Sequence, residues 1–266
     1  MTLNIDIQSC QGRVEQPKAY STLKPLSPLK YWVKEFWQLN VPVGRYFYRS
    51  VPDNCVDMIV NLNFPEEAFV VTPFSTAKVF EMTGPISYFG IRFHILGHQG
   101  IIAAPLGGWN DIDSVIDIDD VLPTRTLNTL YGGIYKPMSF QNRCEYFSKT
   151  LLGVLHPYKI DSRLMRYILY CNNNATIDLS DRQCSEFGVS ARQLRRLTSQ
   201  YLGQTPRGFA KTLRFQNTLQ AINTSSSSNL WLNYYYDQPH FNRDFKNMSG
   251  VTPSEFKTMS VLYNTN

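Results

Sequence analysis

The chain has little of what secreted, membrane-spanning or thiolate-metal proteins need. It contains no run of about 18 apolar residues, so a membrane-spanning helix is not expected. Its five cysteines are scattered and never form a Cys-x-x-Cys pair, which disfavours a disulfide framework or a zinc site. The first residues lack a basic segment followed by an apolar core. The sequence therefore predicts a cytoplasmic protein without a signal peptide.

Patterns for catalysis or metal binding are also scarce. His94 and His98 are four residues apart, but they lie in a strand-like run and not on a helix that would bring them together. The acidic run at 111–120 lacks the glycine and final glutamate of an EF-hand loop, and its apolar residues indicate a strand and a turn. His240 has no nearby nucleophile to activate. We therefore predict no enzyme activity, no metal and no cofactor.

The charge is concentrated in one part of the chain. Residues 1–160 contain 14 Lys and Arg against 14 Asp and Glu, a net charge of zero. Residues 161–266 contain 12 against 7, which gives the whole net charge of +5, and nine of the 12 are arginine. Arginine suits phosphates and guanine edges. A solvated basic surface would have the same composition, so charge alone does not decide between this and nucleic-acid binding.

The first half of the chain has the pattern of a β-rich domain. Segments rich in β-branched and aromatic residues are separated by Pro and Gly, and they lie at 46–51, 56–64, 68–74 and 88–95. Such short strands with close turns are typical of a small barrel or sandwich. Residues 27–39 fit either a helix or a strand.

Five aromatic residues of this half are most simply explained as core residues. They are also candidates for a ligand pocket, because a sensor pocket uses the same residue types. They are Trp32, Trp37, Phe47, Phe93 and Trp109.

The pattern changes to helical spacing after Pro137. Residues 139–155 predict an amphipathic helix with Ser139 as N-cap, and its apolar face predicts a dimer contact or an interdomain brace. We therefore expect an α+β protein in three parts. These are a β-rich sensor or regulatory domain at 1–135, a helix and linker at 136–160, and an all-α domain at 161–266.

The all-α part contains an internal repeat. Residues 190–209 and 237–256 match at an offset of 47 positions, with a Gly followed by Thr-Pro and Phe in each copy. Each copy predicts a helix, a Gly that ends it, and a new helix opened by Thr and Pro. In the first copy Gly188 suits the turn between two helices, because it tolerates positive φ. The connecting helix at 206–223 would span about 27 Å, comparable with one DNA turn of about 34 Å.

The second helix of each copy predicts a polar outer face opposite an apolar stripe. The outward residues of the first copy are Arg192, Gln193, Arg195 and Arg196. Those of the second copy are Gln238, His240, Asn242, Arg243 and Lys246. Exposed helices with Arg and Gln are suited to the major groove.

At these residues the sequence resembles the AraC/XylS family of bacterial transcription regulators. The second copy matches through "YYDQPHFNRDFK" at 235–246 and Gly-Val-Thr-Pro at 250–253. The first matches through Gly-Val-Ser at 188–190, Arg-Gln-Leu at 192–194, and Gly203 with Thr-Pro at 205–206. The resemblance covers about 161–260. It implies a double helix-turn-helix fold, in which two units are joined by a helix.

The resemblance also implies the contacts and partners. Base contacts would come from Arg192, Arg195 and Arg196, and from Gln238, Pro239, Asn242 and Arg243, while His240 would be mainly structural. The partners would be double-stranded promoter DNA in the nucleoid, RNA polymerase, a small-molecule effector and a second copy in a homodimer. Activation is implied more often than repression. The β-rich half looks like a sensor domain found in a subset of these proteins, through segments at 51–53, 57–61 and 84–93.

The second unit departs from the family at its turn. Leu230 and Tyr234 occupy the positions of a small residue and a glycine, and Asn233 tolerates positive φ better than Tyr234 does. We therefore expect weaker DNA contacts from the second unit. The alternative for the whole chain is a small-molecule-binding or enzymatic β-barrel whose helical tail mediates protein contacts.

Overall fold

A computed structural model of the chain describes residues 7, 9–16, 18–102, 106, 115–134, 136–156, 158–174, 179–224 and 234–264. Within these residues the chain forms seven antiparallel strands and eight α-helices. The strands are β1 (Tyr20–Leu23), β2 (Val33–Ser50), β3 (Asp57–Asn61), β4 (Ala68–Val71), β5 (Lys78–Phe93), β6 (Val115–Asp117) and β7 (Leu262–Tyr263). The helices are α1 (Thr124–Ile134), α2 (Phe140–Val154), α3 (Ser162–Asn173), α4 (Asp181–Glu186), α5 (Ala191–Leu202), α6 (Pro206–Thr224), α7 (Gln238–Ser249) and α8 (Pro253–Thr258). This architecture confirms the predicted fold class.

The sheet is organised by the long pair β2 and β5. They run antiparallel from Val33 opposite Phe93 to Ser50 opposite Lys78, with irregularities in register near both Val33 and Val41. The remaining strands extend this pair in the order β1-β2-β5-β3-β4-β6, and β7 also pairs with β2. The segment at 27–39, which fitted a helix or a strand, is a short 3-10 turn at Leu29–Tyr31 followed by the start of β2.

Alternation along the strands separates two buried layers. Successive side chains point to opposite faces of a sheet. Phe89 and Ile91 therefore join the core beneath α2, whereas Tyr88 and Arg92 line a cavity on the other face. Trp37 lies on the cavity side and packs over Gly90, where a Cβ atom would come within 2.0–2.4 Å of the indole.

Helix α2 closes one face of the sheet. Ser139 accepts a hydrogen bond from Asn142 N, as an N-cap does, which confirms the predicted start. Phe147 is buried and stacks on Phe89 with ring centroids 4.9 Å apart. The apolar stripe of α2 is thus largely used inside the N-terminal half, and Leu152 is left 40% exposed. Helix α1 lies at the end of the segment predicted to be β-rich, and the sequence reading missed it.

The sheet and the helices share a continuous buried boundary. Val51 belongs to the same apolar cluster as Phe215 and Phe245 of the helical part. Gln216 Nε2 donates to Pro52 O at 2.6 Å. Gln204 Nε2 donates to Asn54 Oδ1 at 2.7 Å. The helical part is therefore held against the sheet by packing and by buried hydrogen bonds.

Gly90 provides a test of the packing on the cavity face. We expect Gly90→Ala to lower the free energy of unfolding by about 1–3 kcal/mol, because the new Cβ displaces the Trp37 indole. Gly153→Ala is the matched control, since a Cβ there meets no atom within 4 Å. That change should be neutral or raise the free energy by about 0.5–1 kcal/mol through lower chain entropy. Urea unfolding of both variants measures the difference, and equal values would contradict the close approach.

His98 predicts how stability varies with pH. Its side chain is 2% exposed and neither ring nitrogen has a hydrogen-bond partner in the described residues. Burial lowers the pKa of His98 to about 4. The unfolded chain, with a histidine pKa of about 6.5, therefore takes up a proton first as the pH falls.

The stability that neutral His98 contributes should be present above pH 6.5 and lost as the pH falls towards 4. The wild type should lose about 2 kcal/mol more than His98→Leu between pH 7 and pH 5. Urea unfolding at the two pH values measures this double difference. An equal loss in both proteins would show that His98 does not resist protonation.

Candidate nucleic-acid interface

The interface is built on the repeat, which the structure reproduces closely. Helices α5 and α7 both contain 12 residues and occupy the predicted positions. Gly203 and Gly250 end them at φ values of 65° and 79°, the left-handed conformation that glycine adopts without strain. Gly188 has a φ of 80° at the turn before α5, as predicted.

Side-chain caps determine where these helices begin. Ser190 and Gln193 form a reciprocal capping box at the start of α5. Asp237 accepts a hydrogen bond from His240 N at 2.7 Å and starts α7. Thr252 and Glu255 form the predicted capping box of α8. Ser180 starts α4, since its side chain accepts from Gln183 N.

The first unit buries an apolar stripe and exposes its basic face. Leu194 and Leu197 are 1% and 4% exposed and pack in a cluster that also contains Cys184. All four predicted outward residues of α5 are exposed: Arg192, Gln193, Arg195 and Arg196. Arg195 Nε donates back to Ala191 O at 3.3 Å.

The second unit also buries an apolar stripe and exposes a polar face. Phe241, Phe245 and Met248 are buried in one cluster. Five of the predicted residues are exposed: Gln238, Pro239, Asn242, Arg243 and Lys246. His240 is partly buried, and its ring meets Tyr235 edge-on at 5.4 Å between centroids, in keeping with a mainly structural role.

A charged contact attaches the second recognition helix to α6. Arg214 Nη2 donates to Asp244 Oδ2 at 2.6 Å, and Lys211 Nζ lies 3.3 Å from the other oxygen. The Arg214 guanidinium also lies over the Tyr235 ring, 4.7 Å from its centroid. These residues stabilise the orientation of α7. No local sequence pattern indicates this contact, because 30 residues separate Arg214 from Asp244.

Part of the predicted turn of the second unit lies outside the described residues. The undescribed residues of the turn include Leu230 and Asn233. Tyr234 is described, lies in a turn and is partly buried. The weaker contacts of this unit therefore stay a prediction.

The four candidate pocket aromatics that the structure describes are not brought together. Trp37 lines the cavity on the sheet. Phe93 lies in the core beneath α2, Phe47 stacks on Tyr263, and Trp32 packs at Gly100. Trp109 lies outside the described residues.

The cavity has a volume of about 170 Å³ and a polar wall that the sequence reading missed. This wall contains Asp53, Asp57 and Arg92. The available signal was a charged residue inside each of two apolar strand segments, at 56–60 and 89–93. Alternation places both on one face of the sheet.

Comparisons with known proteins agree with this geometry. The family model of a helix-turn-helix domain matches residues 183–259, which include both recognition helices. The chain therefore carries a helix-turn-helix domain at these residues. A second family model, of a domain of unknown function (DUF6597), matches residues 21–115.

Individual relatives match less of the chain or are more distant. The HTH-type transcriptional regulator ArgR of Pseudomonas aeruginosa is 31% identical over 111 residues. The match covers 40% of this chain and 32% of the relative, so the chain spans about a third of that protein. Apo ToxT of Vibrio cholerae aligns with 94% of this chain and 96% of its own, at 12% identity and a TM-score of 0.44. Wild-type ToxT bound to an unsaturated fatty acid aligns at 12% identity and a TM-score of 0.40, covering 91% and 94%.

The exposed arginines of α5 generate a prediction for DNA affinity. We expect Arg195→Ala with Arg196→Ala to weaken specific binding by about 1–3 kcal/mol for each lost base contact. The loss should exceed that of Asn242→Ala, since the second unit lacks the turn glycine. Fluorescence anisotropy with a cognate duplex and the full chain measures both.

The control is Lys136→Ala with Lys149→Ala, which removes two positive charges from exposed sites away from the repeat. This control should change affinity little. A larger loss for Asn242→Ala than for the arginine pair would contradict the predicted order of the two units.

Proposed function

We propose that the chain is a sequence-specific DNA-binding transcription regulator. The observation that carries this proposal is the pair of recognition helices, α5 and α7, which pack in turn along one continuous helix. Helix α5 shares an apolar cluster with Phe209 and Leu213 of α6, and α7 shares one with Phe215 and Leu219. Helix α6 contains 19 residues and so extends about 28 Å. This length is compatible with placing the two helices in successive major-groove segments about 34 Å apart.

Electrostatics support the same proposal. The region from residue 161 onward carries the entire net charge of +5, so contacts of Arg and Lys with phosphates would supply much of the affinity and would weaken with salt. Base readout would come from the outward residues of α5 and α7. We assign the DNA-binding domain to 161–266, the sensor domain to 1–135 and the connection to 136–160.

Control would act through the N-terminal domain. The cavity on the sheet offers a place for a small-molecule effector, and its polar wall continues into the segment that contacts α6. We further propose activation through contact with RNA polymerase. Dimerisation is the other route to control. It would use a surface other than the buried stripe of α2, since that stripe packs on the sheet.

The second candidate function is a small-molecule-binding β-barrel whose helical part mediates protein contacts. The cavity favours it. The two candidates differ in what the outward faces of α5 and α7 bind, which is double-stranded DNA in the first and a protein in the second.

Selection from a random duplex library with the full chain tests the proposal. We expect an enriched site with two short motifs centred about 10 base pairs apart, one for each recognition helix. Arg195→Ala with Arg196→Ala should erase one motif and keep the other, because each unit reads its own segment. Affinity for the enriched site should fall as salt rises. No enrichment at low salt, with the protein folded, would favour the protein-interaction alternative.

A further inference from the structure

The cavity on the sheet combines a charged wall with an aromatic one. The aromatic wall includes Tyr20, Trp37 and Tyr48. The charged wall is organised around Arg92, which is 6% exposed. Such a site can recognise a charged group and bury the apolar body attached to it.

Carboxylates surround the guanidinium of Arg92. Its Nε donates to both oxygens of Asp57 at 3.1 and 3.2 Å. Its Nη1 lies 3.5 Å from Glu35 Oε1, and its Nη2 lies 3.6 Å from Asp53 Oδ2. An anionic ligand that approaches the guanidinium would therefore meet three carboxylates at close range. This arrangement disfavours an anion.

The charges of the site leave a negative excess. Three carboxylates surround Arg92. A further cation that acts on this region is Lys34, whose Nζ donates to Ile7 O and Ser9 Oγ at 3.1 and 2.8 Å. Glu81 also lines the cavity, but it pairs with Arg45. Even if Lys34 is counted with Arg92, the three carboxylates of Glu35, Asp53 and Asp57 exceed the two cations by one negative charge.

Aromatic rings next to this negative excess favour a cation. An ammonium group is attracted to the face of Trp or Tyr, and the attraction grows when water is excluded. Tyr20 and Trp37 stack on each other at 6.2 Å between centroids, and Trp37 Nε1 donates to Asp57 at 2.9 Å. The aromatic wall is thus held directly beside the carboxylates.

We propose that this cavity binds a small organic cation, an amine carried on an aromatic or aliphatic body, as the effector of the regulator. The ammonium group lies against Asp53 and Asp57, and the apolar body lies among the aromatic side chains. The proposal rests on the proposed function, since it names the ligand class of the effector site described there.

The same wall gives the ligand a route to the DNA-binding part. Asp53 is followed by Asn54, which accepts from Gln204 Nε2 and donates to Phe209 O at 3.2 Å. Pro52 O, on the other side, accepts from Gln216 of α6. A cation that binds Asp53 therefore acts on a segment in which the adjoining residues, Pro52 and Asn54, are hydrogen-bonded to α6. Occupancy of the cavity should change the affinity for DNA.

The titration of Asp57 adds a second signature. Burial raises the pKa of Asp57 to about 6, Asp53 raises it too, and Arg92 opposes both. The titratable and charged groups around Asp57 lie on four elements of the cavity wall. They are Arg92 on β5, Tyr48 on β2, Tyr20 on β1, and Asp53 and Cys55 on the connecting segment. Trp37 on β2 donates to Asp57, and Glu35 on β2 pairs with Arg92. Since the ionised carboxylate attracts the cation, the affinity for an amine should rise between pH 5 and pH 7.

Isothermal titration calorimetry on the full chain tests the ligand class. The cationic probes are phenethylamine and hexylamine, and the matched probes are phenethyl alcohol and phenylacetate, which are neutral and anionic. We expect an amine to bind at least about tenfold more tightly than the alcohol, as one added charge pair in a partly buried site implies. Phenylacetate should bind most weakly.

Variants locate the binding. Asp53→Asn should weaken amine binding about tenfold and leave alcohol binding unchanged, because it removes a charge while keeping the shape. Glu145→Gln, an exposed carboxylate on α2, is the control and should change neither. Binding of phenylacetate as tightly as an amine would overturn the proposal. So would the failure of both amines to bind at millimolar concentration to the folded protein.

A second measurement separates this inference from the proposed function. The affinity for the selected duplex is measured with and without a saturating amine, and it should change at least about threefold if occupancy is transmitted to α6. Normal duplex binding without amine binding would overturn only the ligand class. Amine binding without binding to any duplex would overturn the proposed regulator and keep the cation site.

Discussion

The segment from Pro52 to Asn54 holds the sheet and the helical part in one arrangement. Its polar backbone and side-chain groups are paired with Gln204, Phe209 and Gln216 across the boundary. Buried polar groups are costly to leave unpaired, so the two parts cannot shift relative to each other without breaking several of these bonds. This constraint fixes where α6 lies, and α6 in turn fixes both recognition helices.

Helix α6 is held at both of its faces. One side contacts the sheet through the Pro52 segment, and the other contacts α7 through the ion pair of Arg214 and Asp244. The C-terminal strand β7 adds a further tie, because it pairs with β2. The helical part is therefore joined directly to the sheet. The wall of the cavity and the contact surface of α6 are formed by adjoining residues of one short segment.

The sequence anticipated features governed by neighbouring residues. Caps at Ser139, Ser190 and Thr252, together with the glycines that end α5 and α7, depend on contacts within a few positions of the chain. Helical spacing predicted the buried stripes correctly for the same reason. Alternation in β2 was harder to read, because the aromatic residues near its start occupy both faces and fit a helix as well. Helix α1 was missed, although Leu127, Leu130 and Tyr131 lie at helical spacing in the sequence.

The sequence by itself determined the double helix-turn-helix motif, its basic outer faces and the β-rich nature of the first half. These features follow from local periodicity, from turn chemistry and from an internal repeat that is visible in the sequence itself. Only the tertiary structure decided that Asp53, Asp57 and Arg92 meet in one cavity and that the adjoining Asn54 holds α6. Such contacts join residues 35 to 155 positions apart, and no local pattern encodes which distant partner a buried charge or amide will find.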